Sequence, residues 1–410
     1  MRIAIFQDTY HPATNGVVVS TDLFIRELKR RGHEVLLIAP RHPDYKEEAP
    51  EGVVLIDAVA TDFIYPGSSL GKFWKGHVGE ALRAFQPDLI HSMTEFTIGH
   101  WMASYFREKL KLPRVHTFHT LWTEYLFYIP LLPQFISQPL FRWLAPRACK
   151  KRFDRVLAPS EAMKDIIETD WGVSEPGIHV LPTGLDFSRF NGMSGARFRE
   201  QRGIKAHERV LLYLGRLGDE KNVELVVHTF AELKRRGEPN LRFVIAGGGP
   251  ELYLKKIHKL ARDLGLEEDI LWTGFVSGQE WADCYGAADL VLFPSVTETQ
   301  GLVVVEALAA GVPLVSVDTL GPGSVMKGEK GCLFAEPNAT DFADKALRLL
   351  HDDVLMERKK REAKEVAKAY SIEQRGAELE AIYADVLGLE LPETKVPAGP
   401  AGTKPVRRVV

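Results

Sequence analysis

Cysteines are scarce in this sequence and are not spaced as metal ligands or disulfide partners. Among 410 residues there are three, Cys149, Cys284 and Cys332, and no two of them form a C-x-x-C pair. Such usage is typical of proteins in the reducing cytosol, and it argues against both a disulfide framework and a thiolate zinc site. We interpret the three thiols as buried and unreactive.

Long apolar runs and a strong excess of charge are also missing. The most apolar stretch, residues 301–317, is interrupted by Glu306 and Pro313 and is too short to cross a bilayer. The beginning, MRIAIF, has no long apolar core and no small-residue cleavage site, so it predicts a first strand instead of a secretion signal. A formal net charge of −3 gives no indication of a nucleic-acid partner. We therefore expect a cytoplasmic protein that is not integral to a membrane and binds no nucleic acid.

The motifs of metal-dependent and dinucleotide-dependent enzymes are absent as well. The sequence has no H-E-x-x-H, and no two aspartates lie two apart as in a D-x-D metal site. His116 and His119, in RVHTFHT, follow a strand pattern, so the two imidazoles need not share a face. The glycines of GGGPE (247–251) lack the G-x-G-x-x-G order, and no such fingerprint follows the first strand. We expect neither a metal nor a dinucleotide cofactor.

Two stretches of the chain begin the same alternation of strand and helix. RIAIF (2–6), a helical period over 17–32 and HEVLLIAP form one unit; RVLLYLG (209–215), a helical period over 222–237 and LRFVIAGGGP form a second. Such units build parallel sheets flanked by helices. Both helices end in ELKRRG, which we interpret as a favourable helix ending, with cations in the last turn and a glycine cap. The sequence predicts two similar α/β domains.

The boundary between the domains is expected in the polar, glycine-containing segment 187–205. It separates an N-terminal domain, residues 1–190, from a C-terminal domain, residues 206–370. A charged helical run over 341–370 and the helix SIEQRGAELEAIYADVL close the fold. The last residues, 389–410, are rich in proline and glycine and predict a disordered tail.

The stretch TETQGLVVVEALAAGVP carries two acids eight residues apart, Glu298 and Glu306, in an otherwise apolar segment. ADLVLFPS before it predicts a buried strand, and a helix is predicted to begin near residues 300–302. Parallel α/β sheets bind ligands at the carboxyl ends of strands, where the N–H groups of a helix N-terminus bind anions. The diphosphate of a nucleotide sugar fits that position, and its sugar hydroxyls need acceptors such as carboxylates. The alternative is that the acids are a helix cap and a solvent-facing side chain.

Five motifs follow one another along the chain: DTYHPATNGVVVS, LGRLGDEKNVELVV, FVIAGGGPE, TGFV and the E-x7-E pair. Together they resemble the retaining GT-B glycosyltransferases of family 4, over roughly residues 1–388. Within the family, DTYHPATNGV, HTFHTLWTEYLFYI and TETQGLVVVEALA look most like the diacylglycerol glucosyltransferases. The resemblance implies an α/β fold of two Rossmann-like parallel-sheet domains with the reaction in the cleft between them. It also implies that the C-terminal helix, 371–388, packs back on the first domain.

The resemblance implies a role for individual side chains of the donor site. Glu306 would bind the ribose hydroxyls and Glu298 the donor hexose. Arg216 and Lys221 would bind the diphosphate, where two cations after a buried strand neutralise the growing charge of the leaving group. His119 would contact the transferred sugar. The implied catalytic residues are thus His119, Glu298, Arg216 and Lys221.

Other parts of the donor site are implied in main-chain segments. N–H groups of residues 299–302 would meet hexose and phosphate, and the GGGPE turn and the backbone near Val276 would surround the base. Gly16 would lie close to the phosphates, where a side chain would obstruct their approach. Asn15 replaces a glycine that many relatives have, and asparagine tolerates the left-handed conformation. The implied donor-binding residues are Gly16, Arg216, Lys221, Gly248, Val276, Glu298, Thr299, Gln300, Gly301, Leu302 and Glu306.

The stretch LLPQFISQPLFRWLAPRACKKRF, which starts at Leu131, mixes aromatic and aliphatic groups with clustered cations. Such mixtures are typical of segments that sit among anionic lipid headgroups. The alternative is a pair of core helices whose basic residues face water. Resemblance to lipid-modifying relatives favours peripheral, salt-sensitive attachment to an anionic membrane. The candidates for acceptor or membrane contact are Phe135, Phe141, Arg142, Trp143, Arg147, Lys150 and Lys151.

The function that the resemblance implies is that of a hexosyltransferase. It would move a hexose, glucose in the group that the motifs look most like, from a UDP-sugar to a diacylglycerol-type membrane lipid with retention of configuration. An alternative is a mannosyl- or galactosyltransferase that acts on another lipid or on a soluble glycan. A nucleotide-sugar epimerase of the same fold and a non-catalytic nucleotide-sugar binder are alternatives from other classes.

Overall fold

The computed structural model is built on two β-sheets that follow one another along the chain, and helices flank both of them. Residues 2–180 supply the first sheet and residues 209–334 the second. Among the described residues all strand pairs except one are parallel, so the predicted α/β class with two parallel-sheet domains is confirmed. The structure describes residues 1–13, 15–61, 69–71, 75–95, 97–121, 143, 152–173 and 177–391.

In the part of the chain that the structure describes, the first sheet has eight strands in the order β4-β3-β2-β1-β5-β6-β7-β8. Its central strands are nearly continuous apolar runs, because helices cover both faces of a parallel sheet. In β1, Ile3 and Ile5 pack into one apolar cluster while Ala4 and Phe6 pack into another on the opposite face. The strands are β1 Arg2–Phe6, β2 Glu34–Arg41, β3 Val53–Ala60, β4 Ser69–Gly71, β5 Leu89–Ser92, β6 Arg114–Thr117, β7 Arg155–Ala158 and β8 Ile178–Val180.

The second sheet has six strands, all parallel, in the order β11-β10-β9-β12-β13-β14. Strand β9 lies between β10 and β12, so the direction of the connections reverses there. Ligands of open α/β sheets bind at such a switch point, outside the carboxyl ends of the strands. The strands are β9 Arg209–Leu214, β10 Leu241–Ala246, β11 Ile270–Gly274, β12 Leu290–Phe293, β13 Leu314–Ser316 and β14 Cys332–Phe334.

Helices connect the strands of both sheets. The described α-helices are Gly16–Arg30, Lys75–Phe85, Ala103–Leu110, Glu161–Asp165, Gly195–Gln201, Val223–Arg235, Glu251–Asp263, Gly278–Ala287, Leu302–Ala310, Leu320–Val325, Ala339–His351, Asp353–Ala367 and Ile372–Leu387. Short 3-10 turns are found at Phe187–Phe190, Asp219–Lys221 and Lys368–Tyr370, and π-helical turns at Thr97–Met102 and Ile166–Asp170. Among the described residues, no helix is both long and apolar enough to span a bilayer.

The repeated hexamer ELKRRG ends both first helices in the same way. In each copy the glutamate carboxylate, Glu27 or Glu232, accepts two hydrogen bonds from the arginine three residues later. The closing glycines, Gly32 and Gly237, have φ angles of 88° and 79°. Glycine adopts this left-handed conformation without strain, so the hexamer serves as a helix ending in both copies.

The segment predicted as the linker contains structure of its own. The helix Gly195–Gln201 buries Phe198 completely in the core of the second sheet. Gly195 lies so close to the main chain of Gly286 that a Cβ at this position would overlap it. A helix of seven residues is too short for a helical period to be recognised in the sequence. The second half of the predicted linker therefore packs as part of the C-terminal domain.

The C-terminal helix Ile372–Leu387 packs against the first helix of the chain, Gly16–Arg30. Ile372, Leu379 and Tyr383 join the apolar cluster under β1, which belongs to the N-terminal domain. The Tyr383 hydroxyl lies 2.6 Å from Nδ1 of the buried His91. The helix that follows the second sheet thus returns to the first. Residues 392–410 of the predicted tail lie outside the described residues.

Candidate active site

The helix Leu302–Ala310 begins just beyond the carboxyl end of β12. Its N-cap, Gly301, has a φ of 80°, in the left-handed region that favours glycine. Because glycine has no side chain, this cap supplies no acceptor to the N–H groups of the first turn. An N-terminus of this kind combines free N–H groups with the positive end of the helix dipole, and it binds anions.

Two cations follow strand β9, in a turn that contacts the loop leading to this helix. Arg216 and Lys221 lie at either end of a tight turn, and the Tyr213 hydroxyl donates to the main-chain oxygen of Arg216 at 2.7 Å. The hydroxyls of Ser295 and Thr297 lie 3.5 Å and 3.4 Å from the main-chain oxygen of Glu220, within this turn. The turn is therefore hydrogen-bonded to the loop after β12, at the switch point of the sheet.

Each of the two cations is paired with a carboxylate. Arg216 forms an ion pair with Glu220, and Lys221 forms one with Glu298. The Lys221 and Glu298 side chains are 19% and 22% exposed, so a ligand can reach both. The structure thus brings three of the predicted catalytic side chains into one cluster. A diphosphate can bind the cations only by sharing them with, or displacing, the two carboxylates.

Glu306 lies one turn into the same helix and points to a different partner. Its Oε2 accepts a hydrogen bond from the Tyr285 hydroxyl at 2.8 Å, and the carboxyl is buried. Burial raises the pKa of Glu306, because the charged form is desolvated, and the hydrogen bond from Tyr285 offsets part of this effect. That Glu306 binds the ribose hydroxyls stays a prediction; in the structure its carboxylate is hydrogen-bonded within the second domain.

We expect Glu306→Gln to increase the free energy of unfolding at pH 7. A carboxyl whose folded-state pKa is raised contributes stability below its unfolded pKa, about 4.3, and that contribution is lost as the pH rises through the folded pKa. An amide at this position does not ionise, so the gain should disappear near pH 4. Urea denaturation at the two pH values checks this, with the exposed Glu108→Gln as control. A variant less stable than the wild type at pH 7 would contradict it.

Gly16 lies opposite the start of the Leu302–Ala310 helix. A Cβ at Gly16 would be 3.9 Å from Cδ1 of Leu302, across the cleft between the domains. The preceding Asn15 is extended, with a φ of −112°, and its side chain accepts from the N–H groups of Val17 and Val18. Asn15 therefore does not adopt the left-handed conformation that asparagine tolerates, because its side chain caps the first helix and needs extended backbone to do so.

The two histidines of RVHTFHT, His116 within β6 and His119 just after it, contact different groups. His116 is fully buried, lies 2.8 Å from the Ser92 hydroxyl through Nδ1 and stacks on Phe153 at 4.4 Å between ring centroids. His119 lies at the cleft, and its main-chain oxygen accepts a hydrogen bond from the Thr299 hydroxyl at 3.0 Å. Its buried Nε2 has no hydrogen-bond partner among the described residues. Burial lowers the pKa of His119 to about 4, so the imidazole is neutral at neutral pH.

The three glycines after β10 allow a close approach between neighbouring turns. A Cβ at Gly247 or Gly249 would overlap main-chain oxygens of the segment after β9, whereas a Cβ at Gly248 would meet nothing within 4 Å. The Gly248 oxygen accepts from the Leu217 N–H at 2.8 Å. Val276, also predicted near the base, is buried in the apolar core. Its side chain is thus a core residue, and Gly248 is open.

Thr299 and Gln300 contact the first domain with their side chains. The Thr299 hydroxyl donates to His119, and the Gln300 amide is hydrogen-bonded to both main-chain groups of Thr183. The Ser160 hydroxyl donates to the main-chain oxygen of Thr299 at 2.6 Å. These two residues were predicted to meet the donor through their N–H groups, which these side-chain contacts leave available.

Sequence reasoning missed several residues that touch this cluster. Glu220 had a local signal, because it lies four residues from Arg216 in the tight turn of GRLGDEK. Tyr285, Ser160 and Thr183 had none, since each is distant along the chain from the residue it contacts. Of the seven predicted acceptor or membrane residues, only Trp143 lies within the described residues. Its side chain is 55% exposed.

No group of three or more histidine, cysteine, aspartate or glutamate side chains that could hold a metal ion occurs in the described part of the chain. His116 and His119, the two histidines considered as ligands from the sequence, are part of no such group. A metal-independent reaction therefore stays a prediction.

Two protein-family models match the chain, and each match lies mainly over one of the two sheets. Residues 14–189 match the model described as glycosyltransferase family 4, and residues 195–366 match the model of glycosyl transferases group 1. The first match covers most of the first sheet and Gly16; the second covers the second sheet and the cation cluster.

Curated relatives cover most of the chain. An alpha-monoglucosyldiacylglycerol synthase of Streptococcus pneumoniae is 31% identical over 77% of this chain and 71% of its own. A protein of the same name from Acholeplasma laidlawii is 28% identical over 94% and 98%. A D-inositol 3-phosphate glycosyltransferase of Corynebacterium aurimucosum is 31% identical over 75% and 73%.

Solved structures share the arrangement of both domains. Anabaena HepE in complex with UDP superposes with a TM-score of 0.74 and 18% identity over 94% of this chain and all of its own. Together with the fold and the relatives, this defines a GT-B glycosyltransferase. The chain belongs to glycosyltransferase family 4 and is a hexosyltransferase, so the resemblance inferred from its motifs is confirmed.

Proposed function

We propose that the enzyme transfers glucose from UDP-glucose to a diacylglycerol-type membrane lipid, with retention of configuration and without a metal. It would act at the cytoplasmic face of the membrane, to which it binds peripherally. The observation that carries the donor half of this proposal is the cluster of Arg216, Lys221 and Glu298 beside the N-terminus of the helix Leu302–Ala310. Cations and helix N–H groups bind a diphosphate there, and the carboxylate binds the hexose hydroxyls.

The same groups account for the chemistry of transfer. The leaving diphosphate gains charge as the glycosidic bond breaks, and Arg216 and Lys221 stabilise that charge. In a retaining reaction without an enzymic nucleophile, the acceptor hydroxyl attacks from the side of the departing phosphate, which takes its proton. His119, neutral at neutral pH, donates or accepts a hydrogen bond at the transferred sugar. Orientation of donor and acceptor in the cleft supplies the remainder of the acceleration.

The names of the relatives differ in the sugar donor and in the acceptor. Two of the relatives are alpha-monoglucosyldiacylglycerol synthases, but others of similar identity are an inositol phosphate glycosyltransferase and a GDP-mannose-dependent alpha-mannosyltransferase. A mannosyltransferase acting on another lipid or a soluble acceptor is therefore the second candidate.

Mass spectrometry of reaction products tests these functions together. The pure protein is incubated with UDP-glucose, UDP-galactose or GDP-mannose and with mixed micelles that contain diacylglycerol, with and without EDTA. We expect glucosyldiacylglycerol from UDP-glucose alone, undiminished by EDTA. Product from GDP-mannose would support the second candidate, and conversion of the donor without any acceptor would support an epimerase. Any of these, or a requirement for a divalent cation, would contradict the corresponding part of the proposal.

We expect Trp101→Ala to weaken binding to phosphatidylglycerol vesicles by about tenfold. Trp101 is 58% exposed on the N-terminal domain, and the guanidinium of Arg152 lies 5.3 Å from its ring centroid. An exposed indole beside a cation suits the boundary between headgroups and acyl chains. Vesicle cosedimentation at low and high salt measures the effect, and binding of the wild type should fall as salt rises.

The matched control for this measurement is Val354→Ala, on the C-terminal domain. Val354 is 82% exposed and apolar, so its removal tests whether any loss of exposed apolar surface weakens binding. Equal effects of the two substitutions, or vesicle binding that is insensitive to both, would contradict attachment through the N-terminal domain.

A further inference from the structure

Residues 298–302, which lead into the helix Leu302–Ala310 after β12, are here called the donor loop. Gln300 joins this loop to the N-terminal domain through two hydrogen bonds. Its Oε1 accepts from the N–H of Thr183 at 2.7 Å, and its Nε2 donates to the oxygen of Thr183 at 2.9 Å. Gln300 follows β12 of the second sheet, whereas Thr183 follows β8 of the first. The Gln300 residue is 4% exposed and Thr183 is 3% exposed, so these bonds are shielded from water.

This pairing depends on the chemistry of an amide. The side-chain carbonyl oxygen of Gln300 accepts from the main-chain N–H of Thr183, and the side-chain NH2 group donates to its main-chain oxygen. A neighbouring β-strand would bond to the same two main-chain groups. A carboxylate can accept from the N–H but has no hydrogen to donate to the oxygen, so two acceptors would face each other. Because the site is buried, either group of Thr183 left without a partner is costly.

Neighbouring hydrogen bonds connect the two domains close to the donor cluster, which consists of Arg216, Lys221 and Glu298. The Thr299 hydroxyl donates to the His119 oxygen, and Ser160 donates to the Thr299 oxygen. On the other side of Thr183, its hydroxyl lies 2.8 Å from that of Ser20, in the helix that starts at Gly16. Glu298, which pairs with Lys221, immediately precedes these contacts. The donor loop thus contacts the donor cluster through Glu298 and the first domain through Thr299 and Gln300.

We propose that Gln300 is a positioning residue. The pair of hydrogen bonds between its amide and the main chain of Thr183, here called the clasp, holds the N-terminal domain at a fixed position relative to the donor loop. The side-chain amide of Gln300 does not touch the reacting atoms, because both polar groups of that amide are bonded to Thr183. The clasp sets the distance between the donor, bound beside Glu298, and the acceptor side of the cleft, which includes His119. The inference goes beyond the proposed function, because it does not depend on which sugar or acceptor the enzyme uses.

The substitution Gln300→Glu tests the clasp through pH. A protonated glutamic acid has the shape of glutamine and presents one acceptor and one O–H donor, so it can re-form both bonds; the carboxylate cannot. Burial raises the pKa of such a carboxyl, which brings its titration toward the measurable range. Hydrogen–deuterium exchange of the peptide that contains the Thr183 amide, followed by mass spectrometry, reports directly on one of the two bonds and needs no substrate.

We expect the Thr183 peptide of Gln300→Glu to exchange about tenfold faster than that of the wild type near pH 8 and at the wild-type rate near pH 5, after correction for intrinsic rates. In the same variant, kcat should fall near pH 8 more than the donor KM rises. Gln201→Glu, at an exposed position, should leave exchange unchanged at both pH values. Gln300→Met, which has no hydrogen-bonding amide, should exchange faster at both.

Exchange at the wild-type rate in Gln300→Met, or acceleration in Gln300→Glu that is the same at both pH values, would overturn the inference. The second result would mean that the side chain matters only for packing. If Gln300→Glu does not fold near pH 8, refolding on acidification supports the clasp, and failure to fold near pH 5 as well contradicts it.

Discussion

Replacing Lys221 with methionine is expected to lower kcat/KM for the nucleotide-sugar donor by about 100- to 1,000-fold. Methionine keeps the length and apolar stem of the side chain but removes the charge that stabilises the leaving diphosphate. In the protein without ligand, this ammonium is paired with Glu298, so its removal also leaves that carboxylate without its cation at the place where the donor binds. The effect should appear for any nucleotide-sugar donor, because the diphosphate is common to all of them.

Lys259→Met is the matched control for this substitution. Lys259 lies on a helix of the same domain, is 72% exposed and pairs with an aspartate four residues away. An exposed pair of this kind contributes little to stability, so its loss should leave the kinetics unchanged. Wild-type kcat/KM in Lys221→Met, with both variants folded by circular dichroism, would contradict the assignment of the diphosphate site.

The second large effect is expected for His119→Ala, which should lower kcat by about 10- to 100-fold. The buried Nε2 has no hydrogen-bond partner among the described residues, an arrangement that is costly unless a ligand completes it. The bond between Thr299 and residue 119 uses the main-chain oxygen, so it survives the substitution. A loss of rate therefore reports on the imidazole and not on contact between the domains.

The pH dependence separates two possible roles of this imidazole. Because burial lowers the pKa of His119 to about 4, we expect its ionisation to leave no inflection in the pH–rate profile between pH 5 and 8. The exposed His77→Ala is the control in the same domain. Unchanged kcat in His119→Ala, or a wild-type inflection near pH 6.5 that this substitution removes, would contradict a neutral hydrogen-bonding role.

The strands RIAIF, HEVLLIAP, RVLLYLG and ADLVLFPS, and the helix that follows the first strand of each sheet, could be predicted because parallel sheets covered on both faces leave a strong local signal. RIAIF and RVLLYLG became β1 and β9 with nearly the predicted ends. The two-domain order followed from repetition of that signal. The short helix in the predicted linker was not predicted, because its one buried aromatic side chain, Phe198, gives no helical periodicity in the sequence.

The site was predictable only where its residues lie close together in sequence or follow a strand end. The positions of Arg216, Lys221 and Glu298 follow from where β9 and β12 end. The partner of Glu306, Tyr285, lies on a neighbouring helix, and the partner of Gln300 lies 117 residues away. Such pairings are set by packing of elements, which periodicity does not encode. Asn15 is a third case, because its role as a cap depends on where the helix begins.

The central claim is that Arg216, Lys221 and the N-terminus of the Leu302–Ala310 helix bind the diphosphate of a nucleotide-sugar donor. A crystal structure of the protein with UDP tests it most directly. We predict phosphate oxygens within hydrogen-bond distance of both cations and of the Leu302 N–H, with the pairs of Arg216 with Glu220 and Lys221 with Glu298 opened or shared. UDP bound elsewhere, with both ion pairs intact, would contradict the account.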